Sequence, residues 1–299
     1  RVKTLHPLIH GGILARRDIA SHSAQLKQHD IGTIDLVVVN LYPFVDTVSR
    51  NSATLEEALE NIDIGGPTMI RAAAKNFPHV VIVTDPEDYN WIGERLAIEG
   101  TKAISLEQRQ RLATKAFQHV SLYDTAISQY LGSNNTELSA EVTLGLRQTA
   151  ALRYGENPHQ TAALYTDVLG AGGIAHAKQL NGKELSFNNI LDADAAWRVV
   201  TDFSEPTVAI VKHGNPCGVA SHEDQIEAYR LAFAGDSVSA YGGIVGFNRP
   251  VTIGSVEAMR GVFFEVVIAP EYEPKALELL QQRKNLRVLE ISEERGPLD

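Results

Sequence analysis

The chain has 299 residues, of which 44% are apolar and 21% charged. That composition suits a globular protein with a sizeable core and excludes a mostly disordered one. Twenty-seven basic against 37 acidic residues give a formal net charge of −10, a poor balance for coating nucleic acid, so any anion must be met by basic residues gathered locally. One cysteine, Cys217, excludes an internal disulfide framework and a zinc site built on several thiolates, and fits a reducing cytoplasm. No run approaches the ~20 apolar residues that cross a bilayer, and no signal-peptide pattern is present. The length is a prior for two domains. The chain opens on Arg1-Val2-Lys3-Thr4-Leu5-His6-Pro7 without a methionine, and a strand pattern lies close to its other end. It therefore reads as a piece of a longer protein.

In chain order the pattern alternates. Residues 21–29 read as a short helix and 34–40 as a buried β-branched strand. Thr54 is a capping residue for a helix over 54–61, with Glu57 three residues on as in a capping box. Gly65-Gly66-Pro67 opens a further helix. A strand follows over 79–84, then helices over 86–98 and 105–131. The run 132–137 is polar, rich in turn formers and reads as a linker. After it come a helix (188–203), a strand (207–212), a helix (222–234), strands at 244–247 and 266–269, a helix (274–283) and a last strand (286–291). Alternating strands and helices predict an α/β fold with a mainly parallel sheet.

Four constellations carry chemistry. Arg1, Lys3 and Thr4 put two cations and a hydroxyl within four residues, enough to hold a phosphate or simply to form an exposed basic end. His6 and His10 have the i, i+4 spacing of a zinc helix, but Pro7 between them and the missing glutamate argue against a metal. Asn40-Leu41-Tyr42-Pro43-Phe44 follows a strand at its carboxyl end, where parallel α/β sheets bind ligands; the alternative is a turn with packed aromatics. In Asp63-Ile64-Gly65-Gly66-Pro67-Thr68-Met69-Ile70-Arg71-Ala72-Ala73-Ala74-Lys75-Asn76, two glycines open a helix N-terminus, which favours negative charge. Thr68, Arg71 and Lys75 share one helix face. This cationic stripe needs a partner, either Asp63 or a substrate anion. Finally, Val211-Lys212-His213-Gly214-Asn215-Pro216-Cys217-Gly218 crowds a lysine, a histidine and an amide into a turn at a strand end. Cys217 is the alternative nucleophile, ranked below the Lys-His pair because a lone cysteine is commonly buried and inert.

With Leu152-Arg153-Tyr154-Gly155-Glu156-Asn157-Pro158-His159-Gln160, these blocks closely resemble the bifunctional purine biosynthesis protein family, in the family's order and over almost the whole chain. The resemblance implies a methylglyoxal-synthase-like parallel-sheet domain followed by a cytidine-deaminase-like transformylase domain. It places an N-terminally truncated IMP cyclohydrolase at 1–131, a linker at 132–148 and the first half of the AICAR formyltransferase at 149–299. It implies formyl transfer from the co-substrate 10-formyltetrahydrofolate to AICAR, then cyclisation of the product, FAICAR, to IMP with loss of water. No metal is required. The implied partners are AICAR, FAICAR, IMP and folate, in a cytoplasmic homodimer with neither nucleic acid nor membrane. The alternative is a non-catalytic fragment that binds a purine ribonucleotide.

The residues carry over individually. Arg1, Lys3 and Thr4 match nucleotide and phosphate contacts of the cyclohydrolase. Val39, Asn40 and Tyr42 match the next strand end, and Asp63 with Ile64 the following loop. Lys75 matches the catalytic lysine of ring closure, with Asp63 expected to balance its charge and Tyr42 to donate to the developing oxyanion. Arg153 and Tyr154 match AICAR contacts. Lys212 matches the transition-state-stabilising lysine and His213 the general base. Asn189, Gly242 and Glu265 match further substrate positions.

Overall fold

The computed structural model describes residues 4–50, 52–133, 139–170 and 172–291. Arg1, Lys3 and most of the polar run after Gly132 lie outside the described residues. The chain divides into two compact units, Arg1–Gly145 and Leu146–Asp299.

The first unit holds helices α1 (Pro7–Leu14) and α2 (Ala20–Gln28), strand β1 (Leu36–Val38), helices α3 (Phe44–Val48), α4 (Leu55–Glu60) and α5 (Gly65–Lys75), strand β2 (Val81–Val83), and helices α6 (Tyr89–Glu99) and α7 (Leu106–Gly132). Pro7 starts α1 rather than breaking it, because the first helical turn has no use for its missing N–H. His6 caps that helix, its Nδ1 accepting from the Leu8 N–H. The Thr54–Glu57 capping box forms as the sequence predicts, and a second one, Ser105 with Gln108, starts α7. β1 and β2 run parallel, as the long crossover through α5 requires. Ile70, Ala72, Ala73 and Ala74 of α5 are buried against a core of Val81, Ile82, Val83, Leu112, Ala113 and Ala116. Short alanine side chains let α5 pack closely on β2 and α7 at once.

The second unit begins with a hairpin, β3 (Leu146–Leu152) and β4 (Ala162–Asp167). Residues 146–148, read from sequence as linker, thus belong to a strand. Then follow β5 (Lys178–Asn181), α8 (Phe187–Thr201), β6 (Thr207–Lys212), β7 (Asn215–Ser221), α9 (Gln225–Gly235), β8 (Ile244–Phe247), α10 (Ile253–Ala258), β9 (Val266–Ala269), α11 (Pro274–Gln281) and β10 (Arg287–Glu290). The sheet order is β5-β10-β9-β8-β6-β7. Alternate residues of β6 face opposite cores: Ala209 and Val211 pack with Ala193, Ala196 and Trp197 of α8, while Val208 and Ile210 pack with α9 and its neighbours. The result is three layers with the sheet in the middle.

This sheet corrects the expectation of mainly parallel pairing. β8, β9 and β10 are mutually parallel, but β6 is antiparallel to β8, β7 to β6, and β5 to β10. The cause is local. β6 and β7 are joined by the two residues His213 and Gly214, and so short a connection permits only antiparallel pairing. Residues 215–218 look like turn because they contain Pro216 and Gly218. β7 is an edge strand, where a proline costs no ladder bond. Gly218 is required there: a Cβ would sit 1.9 Å from the Ala232 carbonyl oxygen of α9.

Candidate active sites

In the first unit, polar groups gather beyond the carboxyl ends of β1 and β2. Val39 N–H donates to the Val83 carbonyl at 3.0 Å, continuing the strand pairing. Asn40 follows it; its Nδ2 donates to the Thr84 carbonyl at 3.2 Å, and its Oδ1 accepts from the Tyr89 hydroxyl. The N-terminal end of α5 closes against the same segment. A Cβ on Gly66 would lie 2.7 Å from both Leu41 Cδ2 and Asp63 Oδ2, and one on Gly65 would lie 3.1 Å from the Thr4 carbonyl. Thr4, Leu41 and Asp63 therefore converge on the diglycine, where an added side chain would force them to shift. Asp63 Oδ1 accepts from Gly66 N–H at 2.8 Å, so the carboxylate meets the positive end of the helix. Ile64 is exposed beside it and Tyr42 is half-buried.

Tyr123, from α7, fixes this loop from behind. Its hydroxyl donates to the Asn61 carbonyl at 2.7 Å and accepts from Asp63 N–H at 2.8 Å. Burial pushes the Tyr123 phenol up, so it stays a neutral donor. Sequence reading missed Tyr123, which looks like any apolar-face residue of a long helix.

Lys75 lies elsewhere. It is the last residue of α5, about 15 Å along the helix from Gly65 at the usual rise. The expected Lys75–Asp63 charge pairing is therefore not made, because the two stand at opposite ends of α5 and Asp63 caps the helix instead. The expected shared face does form. Thr68, Arg71 and Lys75 line one cleft of about 640 Å³ with His10, Gln110 and Phe117. Arg71 places its guanidinium over the Phe117 ring at 5.6 Å.

In the second unit the matched residues meet at one end of the sheet. Lys212 ends β6, and its Nζ donates to the Tyr241 carbonyl at 2.7 Å. His213 and Gly214 form the hairpin turn with φ of 54° and 74°. For a histidine the left-handed region costs roughly 1–2 kcal/mol, and neighbouring groups hold it there. Asp192 of α8 accepts from Gly214 N–H at 2.7 Å and His213 N–H at 3.2 Å, and Asn215 Nδ2 donates to the His213 carbonyl at 3.0 Å.

Gly242 precedes β8 with φ 78° and donates its N–H to the Phe263 carbonyl at 2.7 Å. Asn189, buried in the first turn of α8, donates from Nδ2 to Glu265 at 2.7 Å. Its Oδ1 accepts from Ser186, which fixes the amide's orientation. Arg287 lies 3.7 Å from the same Glu265 carboxylate and donates from Nε to the Glu184 carbonyl at 3.0 Å. Burial pulls the Arg287 guanidinium down, Glu265 opposes this, and Arg153 and Tyr154 also act on its charge. Arg153 lies over the Tyr154 ring at 5.7 Å. Arg153, Tyr154, Asn189 and Glu265 thus form one cluster around Arg287, which sequence reading missed inside an apolar strand. Burial pushes the half-buried Cys217 thiol up, which keeps it protonated. Among the described residues, no group of three or more histidine, cysteine or carboxylate side chains is placed to hold a metal ion.

Two α/β units, each gathering polar side chains at one end of its strands, define an α/β protein with two candidate sites. The second site joins a lysine–histidine turn to an amide–carboxylate–guanidinium cluster, an arrangement suited to acid–base chemistry on a polar substrate. Residues 2–68 match the MGS-like domain family, and residues 73–298 match the AICARFT/IMPCHase bienzyme family. The chain belongs to the AICARFT/IMPCHase bienzyme family. It is 51% identical to "Bifunctional purine biosynthesis protein purH" of Dictyostelium discoideum, over 98% of this chain and 59% of that one. It is 50% identical to the PurH protein of Acidithiobacillus ferrooxidans, over 99% of this chain and 57% of the relative. The figures for the Neisseria meningitidis protein are 51%, 98% and 57%. The chain thus spans less than two thirds of the length of these curated relatives. A solved structure described as "Crystal structure of ForH" is 36% identical over 46% of this chain and 69% of its own, with a TM-score of 0.39.

Proposed function

We propose that this chain is part of a bifunctional enzyme that formylates AICAR with 10-formyltetrahydrofolate and then cyclises FAICAR to IMP. The observation that supports this best is the gathering of Arg153, Tyr154, Asn189, Lys212, His213, Gly242 and Glu265 at one end of a single sheet. These residues come from five separate stretches of a chain whose family carries both activities in its name.

For formyl transfer, Arg153, Tyr154, Asn189, Gly242 and Glu265 hold AICAR. Its 5-amino nitrogen is a poor nucleophile because the lone pair is delocalised into the ring and carboxamide. His213 takes the proton as that nitrogen attacks the formyl carbon. The Lys212 ammonium stabilises the tetrahedral oxyanion. The bond from the formyl carbon to the folate nitrogen then breaks, and tetrahydrofolate leaves with a proton. The protonated Cys217 thiol takes no covalent part.

For ring closure, the carboxamide nitrogen of FAICAR attacks the new formyl carbon and its oxygen leaves as water. Arg1, Lys3, Thr4, Val39, Asn40 and Ile64 bind the nucleotide, and Tyr42 donates to the developing oxyanion. Lys75 moves the proton, which requires the formyl end of FAICAR to reach from the strand ends into the cleft that Lys75 shares with His10 and Arg71. Asp63 keeps the α5 N-terminus in place.

No metal takes part in either step. No helix among the described residues is long and apolar enough to cross a membrane. We place the enzyme in the cytoplasm, as a homodimer of the full-length chain that binds no nucleic acid. The two activities would divide between the two units, Arg1–Gly145 for ring closure and Leu146–Asp299 for formyl transfer, which moves the second bound from 149 to the start of β3. The test is to assay the full-length enzyme for both reactions separately. AICAR formylation and FAICAR cyclisation by one polypeptide are expected; absence of either contradicts the proposal.

A further inference from the structure

Two-residue hairpin turns with both residues left-handed favour Asn-Gly or Gly-Gly, because a larger first residue brings its Cβ against the backbone. The β6–β7 turn is His-Gly, with φ of 54° and 74°. Asp192 supplies the outside hold that such a turn needs: one carboxylate oxygen accepts from Gly214 N–H at 2.7 Å and the other from His213 N–H at 3.2 Å. This aspartate lies in the second turn of α8, whose N-cap is Ser186, so it is not spent on capping its own helix. It stands three residues after Asn189 and therefore on the same helix face. Asn189 in turn holds Glu265 at 2.7 Å. One stretch of α8 thus grips the histidine turn with one side chain and the carboxylate of the site with another.

We infer that Asp192 is a positioning residue for formyl transfer, clamping the two amides of the β6–β7 turn so that His213 is presented in a single backbone conformation beside Lys212. This rests on the role proposed above for His213. The carboxylate acts through the turn rather than on the substrate. Its loss is therefore expected to lower turnover while leaving AICAR binding to Arg153, Tyr154 and Glu265 intact.

The test compares Asp192→Ala, His213→Ala and the double variant in the full-length enzyme. Asp192→Ala is expected to lower kcat for formyl transfer by about 10²-fold, the scale of a small misplacement of a reacting group, with KM for AICAR unchanged. Added to His213→Ala, it should cause no further loss, since the clamp then has nothing to position. An additive double variant, a wild-type kcat in Asp192→Ala, or a KM that rises as steeply as kcat falls would each overturn the inference. If His213→Ala itself transfers formyl groups at the wild-type rate, the base assignment fails instead, whatever Asp192→Ala does. Asp192→Asn guards against misfolding, because the amide keeps the shape and one acceptor oxygen. It should show an intermediate kcat and faster hydrogen exchange at the Gly214 amide; faster exchange with wild-type kcat would overturn the inference.

Discussion

The two candidate sites lie at opposite ends of their units' strands. In the first, Val39 and Asn40 follow the carboxyl end of β1, and Thr84 follows that of β2, where parallel α/β sheets usually bind ligands. In the second, Gly242, Glu265 and Arg287 lie at the amino ends of the parallel strands β8, β9 and β10. Lys212 joins them only because β6 runs the other way. A helix N-terminus is what the two sites share. α5 brings its first turn to the first site, with Asp63 on Gly66, and α8 brings Asn189 and Asp192 to the second. Unpaired N–H groups and the positive helix end are useful wherever the helix starts, and strand polarity follows from how the helix is connected. A further contrast is compactness. Hydrogen bonds and charge link the second site from Asn189 through Glu265 to Arg287, whereas the first is divided along α5 between Asp63 and Lys75.

The comparison breaks most visibly at His213. His213→Ala in the full-length enzyme should lower formyl transfer by at least about 10²–10⁴-fold, the usual worth of a general base, and leave FAICAR cyclisation near wild type. Rates of the two reactions measured separately on one preparation check this; parallel loss of both would merge the two sites into one. Lys75→Ala should abolish cyclisation, let FAICAR accumulate and spare formyl transfer. If cyclisation survives in Lys75→Ala but is lost in Asp63→Asn, the reacting atoms sit at the strand ends and the cleft is not part of that reaction.

Smaller effects sharpen the contrast. Tyr123→Phe removes the hydroxyl that satisfies Asn61 and Asp63, and should destabilise the first unit by about 1–3 kcal/mol in denaturant unfolding. Tyr229 of the second unit is the counter-case, since its hydroxyl is buried with no hydrogen-bond partner among the described residues. Burial holds the Tyr229 phenol at about 12 in the folded state. A raised folded value means the native state keeps a proton that the unfolded state gives up near pH 10, so stability falls as pH rises from there towards 12. Tyr229→Phe should therefore cost little at neutral pH and flatten the alkaline fall, as read by unfolding midpoints across pH 8–12. Cys217→Ala should change formyl transfer least of all. A formyl adduct trapped on Cys217, or a loss as deep as that in His213→Ala, would instead mean covalent catalysis.

Local chemistry made much of the fold legible in sequence. The Thr54 capping box, the strands at 207–212, 244–247 and 266–269, and the helix opened by Gly65-Gly66 all form where the residues indicate. Pairing direction was not legible, because it depends on a two-residue connection inside a stretch that reads entirely as turn. The β3–β4 hairpin was missed for a related reason: its strands are short of buried side chains and show no apolar alternation. Named motifs exposed the matched site residues. Their supports were hidden. Asp192 resembles a solvated helix residue, Arg287 an edge charge and Tyr123 a core aromatic, until the fold brings each against a backbone amide or carboxylate from far along the chain.

The division of labour between the units is tested most directly by mixing two full-length variants, Lys75→Ala and His213→Ala, with AICAR and 10-formyltetrahydrofolate. Alone, the first should stop at FAICAR and the second at AICAR. Together they should form IMP, because FAICAR released by one protein is closed by the other. A mixture that makes no IMP, although the His213→Ala protein cyclises added FAICAR on its own, would mean that FAICAR never leaves the protein that made it. If the His213→Ala protein cannot cyclise added FAICAR, the two activities do not reside in separate sites.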